Sequence, residues 1–527
     1  MKKLIKKYHV QIIVFSLIAL SITFFIYYYN LGIHTGYGDA VSRLNISRKI
    51  IDNLTPGFAQ LGNVWLPLPQ ILTLPFIWNN FLWHSGIAGY LMSMVAFVVG
   101  GYFIYKTALL LTEDRSASIF ALSIYALNIN LLYIQTTAMS EALFVSSLAA
   151  VVYYSFRWSK TLKFTDIIKL AIAVNVATLT RYEGLAILLA LVPLIIFYSF
   201  IKIRNWAKTE SSIILYSSLA FLGFGLWSLY LWAVFGDPLY WKHFYADSHV
   251  ISANIYYKYA QNLSFFGATW KYLVNVIWMV GLIPTIFAFV GIILVAINFI
   301  RTRSLSLIFL FTPFSIFLFM ILTLMKNTPI NQPDLTINNL LTIKTSYFNE
   351  YNIRYGLSMI PCFAIFSAFL FKYKNIFLRS LLILIFSIQL YSYISPTYSV
   401  IFQIPIDFIH GNSNKLPDDV SWLKTHYNGG LIMVSALKHD PEMFELGVDY
   451  KNYIHEGTGK YWKTSIKDPS KYATWVWFAY DNLDDQVTKY LKDSSVLENA
   501  YTLVYNKNVI RIYKIKTKPE IDSSTLK

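Results

Sequence analysis

Ionisable side chains are few in this sequence, and several of them stand at the ends of long apolar runs. Asp39 follows the first apolar run, Glu141 opens a later run and Arg354 begins another. Arg181 and Glu183 lie two residues apart between two runs. A carboxylate can accept a proton from a hydroxyl group, and an Arg guanidinium offers a fixed set of donors to an anion. Ionisable residues at membrane depth are usually functional, so these five are the first candidates for a site.

The composition is typical of a polytopic membrane protein that also has a soluble part. Of the 527 residues, 56% are hydrophobic and 14% are charged, with a formal net charge of +16. A surplus of Lys and Arg can indicate nucleic-acid binding, but here these residues stand largely in short loops between apolar runs, which is the charge pattern of membrane topology. We therefore expect membrane lipids and no nucleic acid as partners. The single cysteine, Cys362, excludes an internal disulfide and a Cys-based zinc site.

Apolar runs of spanning length recur along the first 395 residues, and the rule of ~20 residues per span predicts about eleven transmembrane helices. The predicted spans lie near residues 10–30, 86–111, 116–135, 140–157, 166–181, 184–201, 211–235, 272–300, 305–325, 354–371 and 379–395. No small-residue cleavage site follows the first run, so it is expected to remain as an uncleaved helix.

The segments that should be cytoplasmic are all rich in Lys and Arg, as the positive-inside bias requires. They are residues 2–7 and the loops that contain "RWSKTLK", "KIRNWAK", "RTR" and "KYKNIFLR". The loops near 31–85, 236–271 and 326–353 then lie outside. We therefore predict an integral protein of the plasma membrane with a cytoplasmic N-terminus. Because the number of spans is odd, its C-terminal segment lies outside.

From about Ser395 onward charged residues become frequent and no run is long enough to span. A helix start at Pro417 is followed by strand-like runs and by a helical run at "DDQVTKYLKD". The strand-like runs are "GGLIMVSA", "TWVWFAYD" and "YTLVYNKNVIRIYKIK", the last a hairpin that turns at residues 506–508. The predicted fold is thus a polytopic α-helical membrane domain over 1–395 and a small extracytoplasmic α/β domain over 396–527.

The first external loop, residues 31–85, has two unusual parts. Residues 39–53 place apolar side chains at roughly helical spacing beside Arg and Lys, which predicts a short basic amphipathic helix that lies in the membrane interface and touches lipid headgroups. The following "LGNVWLPLPQILTLPFIWNNFLW" is broken by Pro and rich in aromatics, so it is too interrupted to span, and its Trp residues are typical of the interface.

These features resemble the first external loop of the GT-C superfamily, integral-membrane glycosyltransferases of the protein-mannosyltransferase (family 39-like) and aminoarabinose-transferase kind. The resemblance rests on Asp39 just after helix one, the interfacial helix, "GNVWLPLPQILTLPF" and the second predicted membrane-spanning helix that follows. It extends over residues 1–395 in order, and a C-terminal α/β domain also recurs in the family. The family's other polar positions correspond to "TTAMSEALF" (136–144), "TLTRYEG" (178–184) and "NIRYGLSMIP" (352–361).

The resemblance implies transfer of a sugar from a polyprenyl-phosphate donor to a lipid, glycan or protein acceptor outside the cytoplasm, with 1–395 as the catalytic domain. Asp39 would be the general base for the acceptor hydroxyl, and Glu141 a second acid that orients the acceptor or Asp39. Arg354 and Arg181 would hold the donor phosphate, with Tyr355 as a possible hydrogen-bond donor to it. The further candidates for the site are Arg43, Glu183 and Trp65.

A metal is not indicated, although a divalent cofactor stays open. His is frequent in related first loops at the places where this chain has Arg43 and Gln70. His243, Asp247 and His249 stand close together in a predicted external loop, but their spacing matches no recognised ligand pattern. We expect an ordinary loop there.

Each candidate also has a purely structural interpretation. Asp39 could cap a helix, and Glu141 could complement a helix dipole. Arg181 could simply pair with Glu183, Arg354 could snorkel to the interface, and Tyr355 could belong to the aromatic belt.

Two rival functions remain at this stage. An oligosaccharyltransferase would use a pyrophosphate-linked donor and would require an acidic aromatic motif and usually a metal. A transporter or flippase with an external receptor domain would show inverted repeats with broken helices in corresponding halves. Neither pattern is evident in the sequence.

The loop charges yield a topology prediction. A reporter fused after Lys527 should behave as extracytoplasmic, and one placed in the "RWSKTLK" loop should behave as cytoplasmic. Paired reporters active on opposite sides of the membrane, such as alkaline phosphatase and a fluorescent protein, measure this. A cytoplasmic signal from the C-terminal fusion would contradict the map of eleven spans.

Overall fold

The protein is largely α-helical. The computed structural model describes residues 2–243, 263–326, 353–393, 404, 416–482 and 484–517. The helices before the C-terminal segment are α1 (Lys2–Asn30), α2 (Gly38–Lys49), α3 (Leu68–Ile77), α4 (Asn80–His84), α5 (Ile87–Thr112), α6 (Arg115–Ala126), α7 (Ile129–Ile134), α8 (Glu141–Thr161), α9 (Phe164–Thr178), α10 (Gly184–Lys202), α11 (Trp206–Phe235), α12 (Phe265–Val280), α13 (Leu282–Thr302), α14 (Phe314–Met325), α15 (Ile360–Ala368) and α16 (Ile376–Ser392). Over the same described residues, four 3-10 segments accompany them: Phe58–Gln60, Leu305–Phe311, Ile353–Met359 and Phe369–Lys372.

Among the described residues, 6 helices are long and apolar enough to cross a membrane, or 7 if a bent pair counts as one span. They are Tyr8–Asn30, Ile87–Thr112, Gly184–Lys202, Trp206–Phe235, Leu282–Thr302 and Ile353–Lys372, and the bent pair is Leu305–Phe311 with Phe314–Met325. The predicted count of eleven is therefore not confirmed. Other predicted spans are shorter helices, such as α9 and α16, or helices with more polar residues, such as α8.

Two predicted spans are each interrupted. The run near 272–300 is not one helix, because it breaks at Gly281 between α12 and α13. Gly281 has φ of 101°, a conformation that side chains with a Cβ rarely adopt. The run near 116–135 breaks between α6 and α7, where the side chain of Asn128 accepts a hydrogen bond from the Leu131 amide and caps α7.

The segment Ile353–Lys372 forms the centre of the helical part. Over its most apolar stretch of 18 residues, 94% of the residues are buried. It packs against α6, α8, α12 and α13. Its first turn therefore carries Arg354 and Tyr355 into the interior of the protein.

The C-terminal segment is α/β. Its helices are α17 (Asp418–His426), α18 (Ala436–Leu446), α19 (Lys460–Ser465), α20 (Gln486–Leu491) and α21 (Ser495–Ala500). Its strands are β1 (Leu431–Val434), β2 (Tyr453–Ile454), β3 (Ala473–Ala479), β4 (Tyr501–Lys507) and β5 (Ile510–Ile515). They form one sheet in the order β2-β1-β3-β5-β4, in which β1 is parallel to β2 and β3, and β5 is antiparallel to β3 and β4.

The predicted helices and strands of this segment are confirmed, and the hairpin turns at residues 508–509, slightly later than the predicted 506–508. Pro417 precedes α17, and Asp485 caps α20 by accepting hydrogen bonds from two backbone amides. The hairpin of β4 and β5 turns through Asn508, whose φ of 53° is the left-handed conformation that Asn tolerates. One face of the sheet, with Met433, Val476 and Phe478, builds an apolar core with α20 and α21. The sequence did not predict the two-residue strand β2.

The chain forms two compact units, and the second combines most of the first loop with the C-terminal segment. The first unit takes in Met1–His34, Asn63–Pro69 and Tyr90–Gly411, and the second Thr35–Gly62, Gln70–Gly89 and Asn412–Lys527, each as far as the structure describes it.

Within the second unit, α2 packs against α18. Lys49 Nζ lies 2.8 Å from a carboxylate oxygen of Asp440, and the Asn45 side chain donates a hydrogen bond to the Asp440 carbonyl. Arg48 pairs with Asp52 at 2.9 Å. The expectation that the basic face of this helix touches lipid headgroups is therefore wrong for Arg48 and Lys49, because both are buried and paired with acids.

Candidate functional site

Glu141 joins two arginines that are distant in the sequence. Its Oε1 lies 2.9 Å from Nη1 of Arg181 and 2.9 Å from Nε of Arg354. The side chains of Glu141 and Arg354 are only 4% and 8% exposed. The structure thus brings together three residues that the sequence singled out, all within the first unit.

Glu183 completes this ion-pair cluster. Its Oε1 accepts hydrogen bonds from Nε and Nη2 of Arg181, at 3.0 and 2.8 Å. All three nitrogens of the Arg181 guanidinium therefore contact carboxylates, and the four side chains carry two positive and two negative charges. Burial alone would lower the pKa of Arg181, but Glu183 and Glu141 outweigh it and raise the pKa well above its ordinary value. Arg181 is accordingly a fixed cation.

Three helix termini position the cluster. Glu141 is the first residue of α8, Arg181 and Glu183 lie in the turn between α9 and α10, and Arg354 lies in the 3-10 segment Ile353–Met359. An acid at a helix N-terminus is also favoured by the helix dipole. The turn is tight: a Cβ at Gly184 would lie 2.6 Å from the carbonyl carbon of Ala177, so only glycine fits.

Tyr355 contacts Arg181 directly. The Arg181 guanidinium carbon lies 4.7 Å from the centre of the Tyr355 ring, a cation–π geometry. The Tyr355 ring therefore belongs to the cluster. The sequence alone had left open that this ring lies in the aromatic belt of the membrane.

The residues that hold Ile353–Met359 in place were missed by the sequence reasoning. The fully buried Tyr272 of α12 donates its hydroxyl to the Tyr355 carbonyl at 3.2 Å and lies 3.1 Å from the Ser358 hydroxyl. Gly356 permits close approach to the same helix, because a Cβ there would lie 2.6 Å from the Asn275 carbonyl oxygen. A Tyr within an apolar run and a Gly shortly before a helix give no distinctive signal in a single sequence.

The segment of Trp65 is tied to the turn that carries Arg181. The Leu68 amide donates to the Leu179 carbonyl at 3.1 Å, and the Tyr182 hydroxyl donates to the Val64 carbonyl at 2.8 Å. These bonds bring the chain at Trp65 beside residues 179–182, although they do not give Trp65 itself a role.

Asp39 and Arg43 lie on α2, in the second unit. Asp39 is half-buried in the first turn of the helix. The N-cap is Tyr37, not Asp39. The structural interpretation of Asp39 as an N-cap therefore does not hold.

The other structural interpretations have mixed outcomes. Arg181 does pair with Glu183, but it pairs with Glu141 as well. Arg354 is buried and bound to Glu141, which is not the position of a snorkelling side chain. Among the described residues no group of three or more His, Cys, Asp and Glu side chains is arranged to hold a metal. His243 contacts Asp237 at 2.5 Å, and its predicted neighbours Asp247 and His249 lie outside the described residues.

The cluster can orient cations precisely in an apolar setting. A carboxylate that joins two guanidinium groups fixes both of them, and fixed cations in a buried site stabilise a negative charge more strongly than mobile ones in water. A guanidinium held in this way offers its donors in a fixed geometry, which is the kind of group that binds anions such as phosphate.

Two solved structures are similar to the chain over most of its length. ArnT from Cupriavidus metallidurans, bound to undecaprenyl phosphate, is 12% identical, with a TM-score of 0.53 over 95% of this chain and 97% of ArnT. The oligosaccharyltransferase of Archaeoglobus fulgidus in its apo form is also 12% identical, with a TM-score of 0.51 over 90% of this chain and 70% of that protein. No protein-family model matches the sequence, and no curated protein matches it in sequence.

These similarities identify the fold. The chain has the GT-C fold, as the motifs of residues 1–395 predicted: a polytopic helical membrane protein that ends in a small sheet. Its apolar helices and both similar structures identify it as an integral membrane protein.

The close approach at Gly356 yields a prediction. Gly356→Ala forces the 3-10 segment away from α12 and should destabilise the protein by about 1–3 kcal/mol, the usual cost of overpacking. The measurement is the thermal unfolding midpoint in detergent. Gly225→Ala on α11 is the control, because nothing lies within 4 Å of its added Cβ and Ala in a helix stabilises by up to about 1 kcal/mol. Equal midpoints for the two variants would contradict the packing described.

Proposed function

We propose that this protein is a glycosyltransferase that moves a sugar from a polyprenyl-phosphate donor to an acceptor on the extracytoplasmic side of the membrane. The observation that carries the proposal is the buried cluster in which Glu141 holds Arg181 and Arg354, in a protein with the GT-C fold. Buried, pre-positioned arginines suit a reaction in which a phosphate takes up negative charge as it leaves.

The reaction needs one bond to form and one to break. The acceptor hydroxyl oxygen attacks the anomeric carbon of the sugar, and the bond from that carbon to the phosphate oxygen breaks. The polyprenyl phosphate leaves with the bonding electrons, and the hydroxyl proton passes to a base. The products are the glycosylated acceptor and the polyprenyl phosphate.

Arg354 is the proposed phosphate ligand. It lies in the first turn of a buried segment, and its ion pair with Glu141 orients its guanidinium. Arg181 supports the site from the other side of Glu141, because its nitrogens already contact two acids. ArnT, which shares the fold, was solved with undecaprenyl phosphate bound. That lipid phosphate is therefore a suitable probe.

Asp39 is the proposed base. Its support is its position just after the first span, which matches the acid of the GT-C first loop, and its place in a first helical turn where it is not the cap. A carboxylate there can take the acceptor proton if the substrate brings its hydroxyl within reach.

An oligosaccharyltransferase-type reaction is the second candidate, because the fold is also similar to that of the Archaeoglobus enzyme. The two reactions differ in the product that leaves, a polyprenyl phosphate or a polyprenyl pyrophosphate. Thin-layer chromatography of the released lipid separates them. A flippase would release neither.

The proposed role of Arg354 can be tested by measuring how tightly the protein binds a lipid phosphate. Arg354→Ala should weaken the affinity for undecaprenyl phosphate by roughly tenfold to a hundredfold, since a hydrogen bond to a charged group contributes about 1.5–3 kcal/mol. Arg354→Lys should recover part of the affinity, because it keeps the charge but loses the planar fork. Binding is measured with the purified protein in nanodiscs.

The matched control is Arg379→Ala. Arg379 also belongs to the first unit and is ion-paired with an acid, Asp114, at 2.5 Å. This variant should bind undecaprenyl phosphate as the wild type does. An unchanged affinity in a folded Arg354→Ala protein would reject the proposed phosphate site.

The proposed role of Asp39 can be tested by measuring the rate of sugar transfer. Asp39→Asn keeps the size of the side chain but cannot accept the proton, so transfer from a radiolabelled polyprenyl-phosphate sugar in purified membranes should fall by about 10²–10⁴-fold. If Asp39 serves only the helix dipole, the change should cost about 0.3–1 kcal/mol of stability and leave the rate nearly intact.

Asp418→Asn provides the comparison for this rate test. Asp418 lies in the first turn of α17 in the same unit, so its replacement removes a comparable acid without touching the proposed base. A transfer rate of the Asp39→Asn variant within about threefold of the wild type, far short of the loss of a general base, would remove Asp39 from the mechanism.

A further inference from the structure

The first loop exposes several large apolar side chains that lie close together in the sequence. Five of them, here called the aromatic face, belong to α3 or to the residues that follow it: Ile71, Leu72, Phe76, Trp78 and Phe81. Trp78 and Phe81 are 73% and 67% exposed. Exposed apolar clusters of this kind usually mark an interaction surface.

The buried side of α3 includes polar side chains, whereas its exposed side is apolar. Gln70, Thr73 and Ile77 are buried, whereas Ile71 and Leu72 on the other side are each 40% exposed. A helix on the surface of a water-soluble unit would carry charged residues on its exposed side. Here no Asp, Glu, Lys or Arg occurs between Asp52 and Lys106.

Four backbone carbonyls at the C-terminal end of α3, those of residues 75–78, accept hydrogen bonds from groups of the protein. The Arg48 guanidinium donates to the carbonyls of Ile77 and Trp78, at 2.9 and 3.1 Å. The Trp78 indole N–H donates to the Pro75 carbonyl at 2.9 Å, and the Asn79 amide to the Phe76 carbonyl at 3.3 Å. In water the last carbonyls of a helix can bind solvent, but in an apolar phase each must find a partner in the protein.

Trp78 is accordingly suited to an apolar phase despite its exposure. Its only polar group is satisfied by Pro75, so the ring can leave water without an unpaired N–H.

Chain connectivity determines whether the aromatic face lies near the bilayer or far from it. The loop leaves one span at Asn30 and enters the next at Ile87, and the ends of consecutive spans lie at the same membrane face. Phe81 precedes Ile87 by six residues, which reach at most ~20 Å when extended. The aromatic face is therefore tethered close to a bilayer.

We propose that the aromatic face docks into the lipid bilayer, among the acyl chains just below the headgroups, at the membrane face from which the first loop emerges. The lipid-contacting helix of this loop is then α3 and not α2. Arg48 couples the docked helix to the C-terminal segment, because the same guanidinium that caps α3 also lies 3.7 Å from Asp449. This proposal is independent of the proposed enzymatic function.

A cysteine scan with depth-dependent quenching tests the docking. The only native cysteine, Cys362, is replaced by Ala, and single cysteines are introduced as Leu72→Cys, Phe81→Cys and, as the control, Tyr490→Cys. Tyr490 lies on α20 in the same unit, is 56% exposed and stands beside Lys489. Each variant is labelled with the fluorophore NBD and reconstituted into vesicles of phosphatidylcholine and phosphatidylglycerol that contain doxyl-labelled lipid.

The expected result is blue-shifted NBD emission at positions 72 and 81 and quenching by doxyl lipid several-fold stronger than at position 490. Quenching no stronger than at position 490 overturns the proposal. Blue-shifted emission without lipid quenching also overturns it, because the surface would then be covered by protein, either a second copy or another partner. Gel filtration of each labelled protein verifies that it is folded and monodisperse.

Discussion

The buried carboxylate of Glu141 is the constraint on which the arrangement of the site depends. An isolated carboxylate in an apolar interior costs several kcal/mol, and Glu141 avoids that cost only because Arg181 and Arg354 both lie 2.9 Å from it. The start of α8, the turn before α10 and the start of the buried segment at Ile353 must therefore meet at one place. The polar cluster thus acts as a packing restraint as well as a candidate site, and removing one of its four charged side chains would leave a net charge in the buried cluster.

This constraint explains which parts of the site were predictable. Glu141, Arg181 and Arg354 stand out in the sequence because charge is rare in apolar surroundings, and the same reasoning that marked them as candidates requires them to be paired. Their supports do not stand out. Tyr272 and Gly356 act through a hydroxyl aimed at one carbonyl and through the lack of a Cβ, and neither property can be recognised before the partner helix is known.

The fold shows the same division between local and long-range information. Strands β1, β3, β4 and β5 were predictable because period, turn residues and caps are local. The division of the helical part into membrane spans was less predictable. Gly281 breaks a run whose composition is apolar throughout, and the break depends on a backbone conformation that hydropathy does not report. The grouping of most of the first loop with the C-terminal segment joins residues as far apart as Thr55 and Gly457, and no local sequence pattern predicts it.

The arginines illustrate why residue type alone does not assign a role. From the sequence, Arg48 and Arg354 look alike, since each is a cation beside an apolar run. The structure separates them by what their donors contact. Arg48 donates to the carbonyls at the end of α3 and to Asp52, so its charge caps a helix and is neutralised within the unit. All three nitrogens of the Arg48 guanidinium donate to partners within the unit, the third to the Asn80 side chain, so a lipid headgroup would have to displace one of them. It follows that the basic character of α2 serves the assembly of its own unit, while contact with the bilayer falls to the uncharged stretch that Arg48 holds in place.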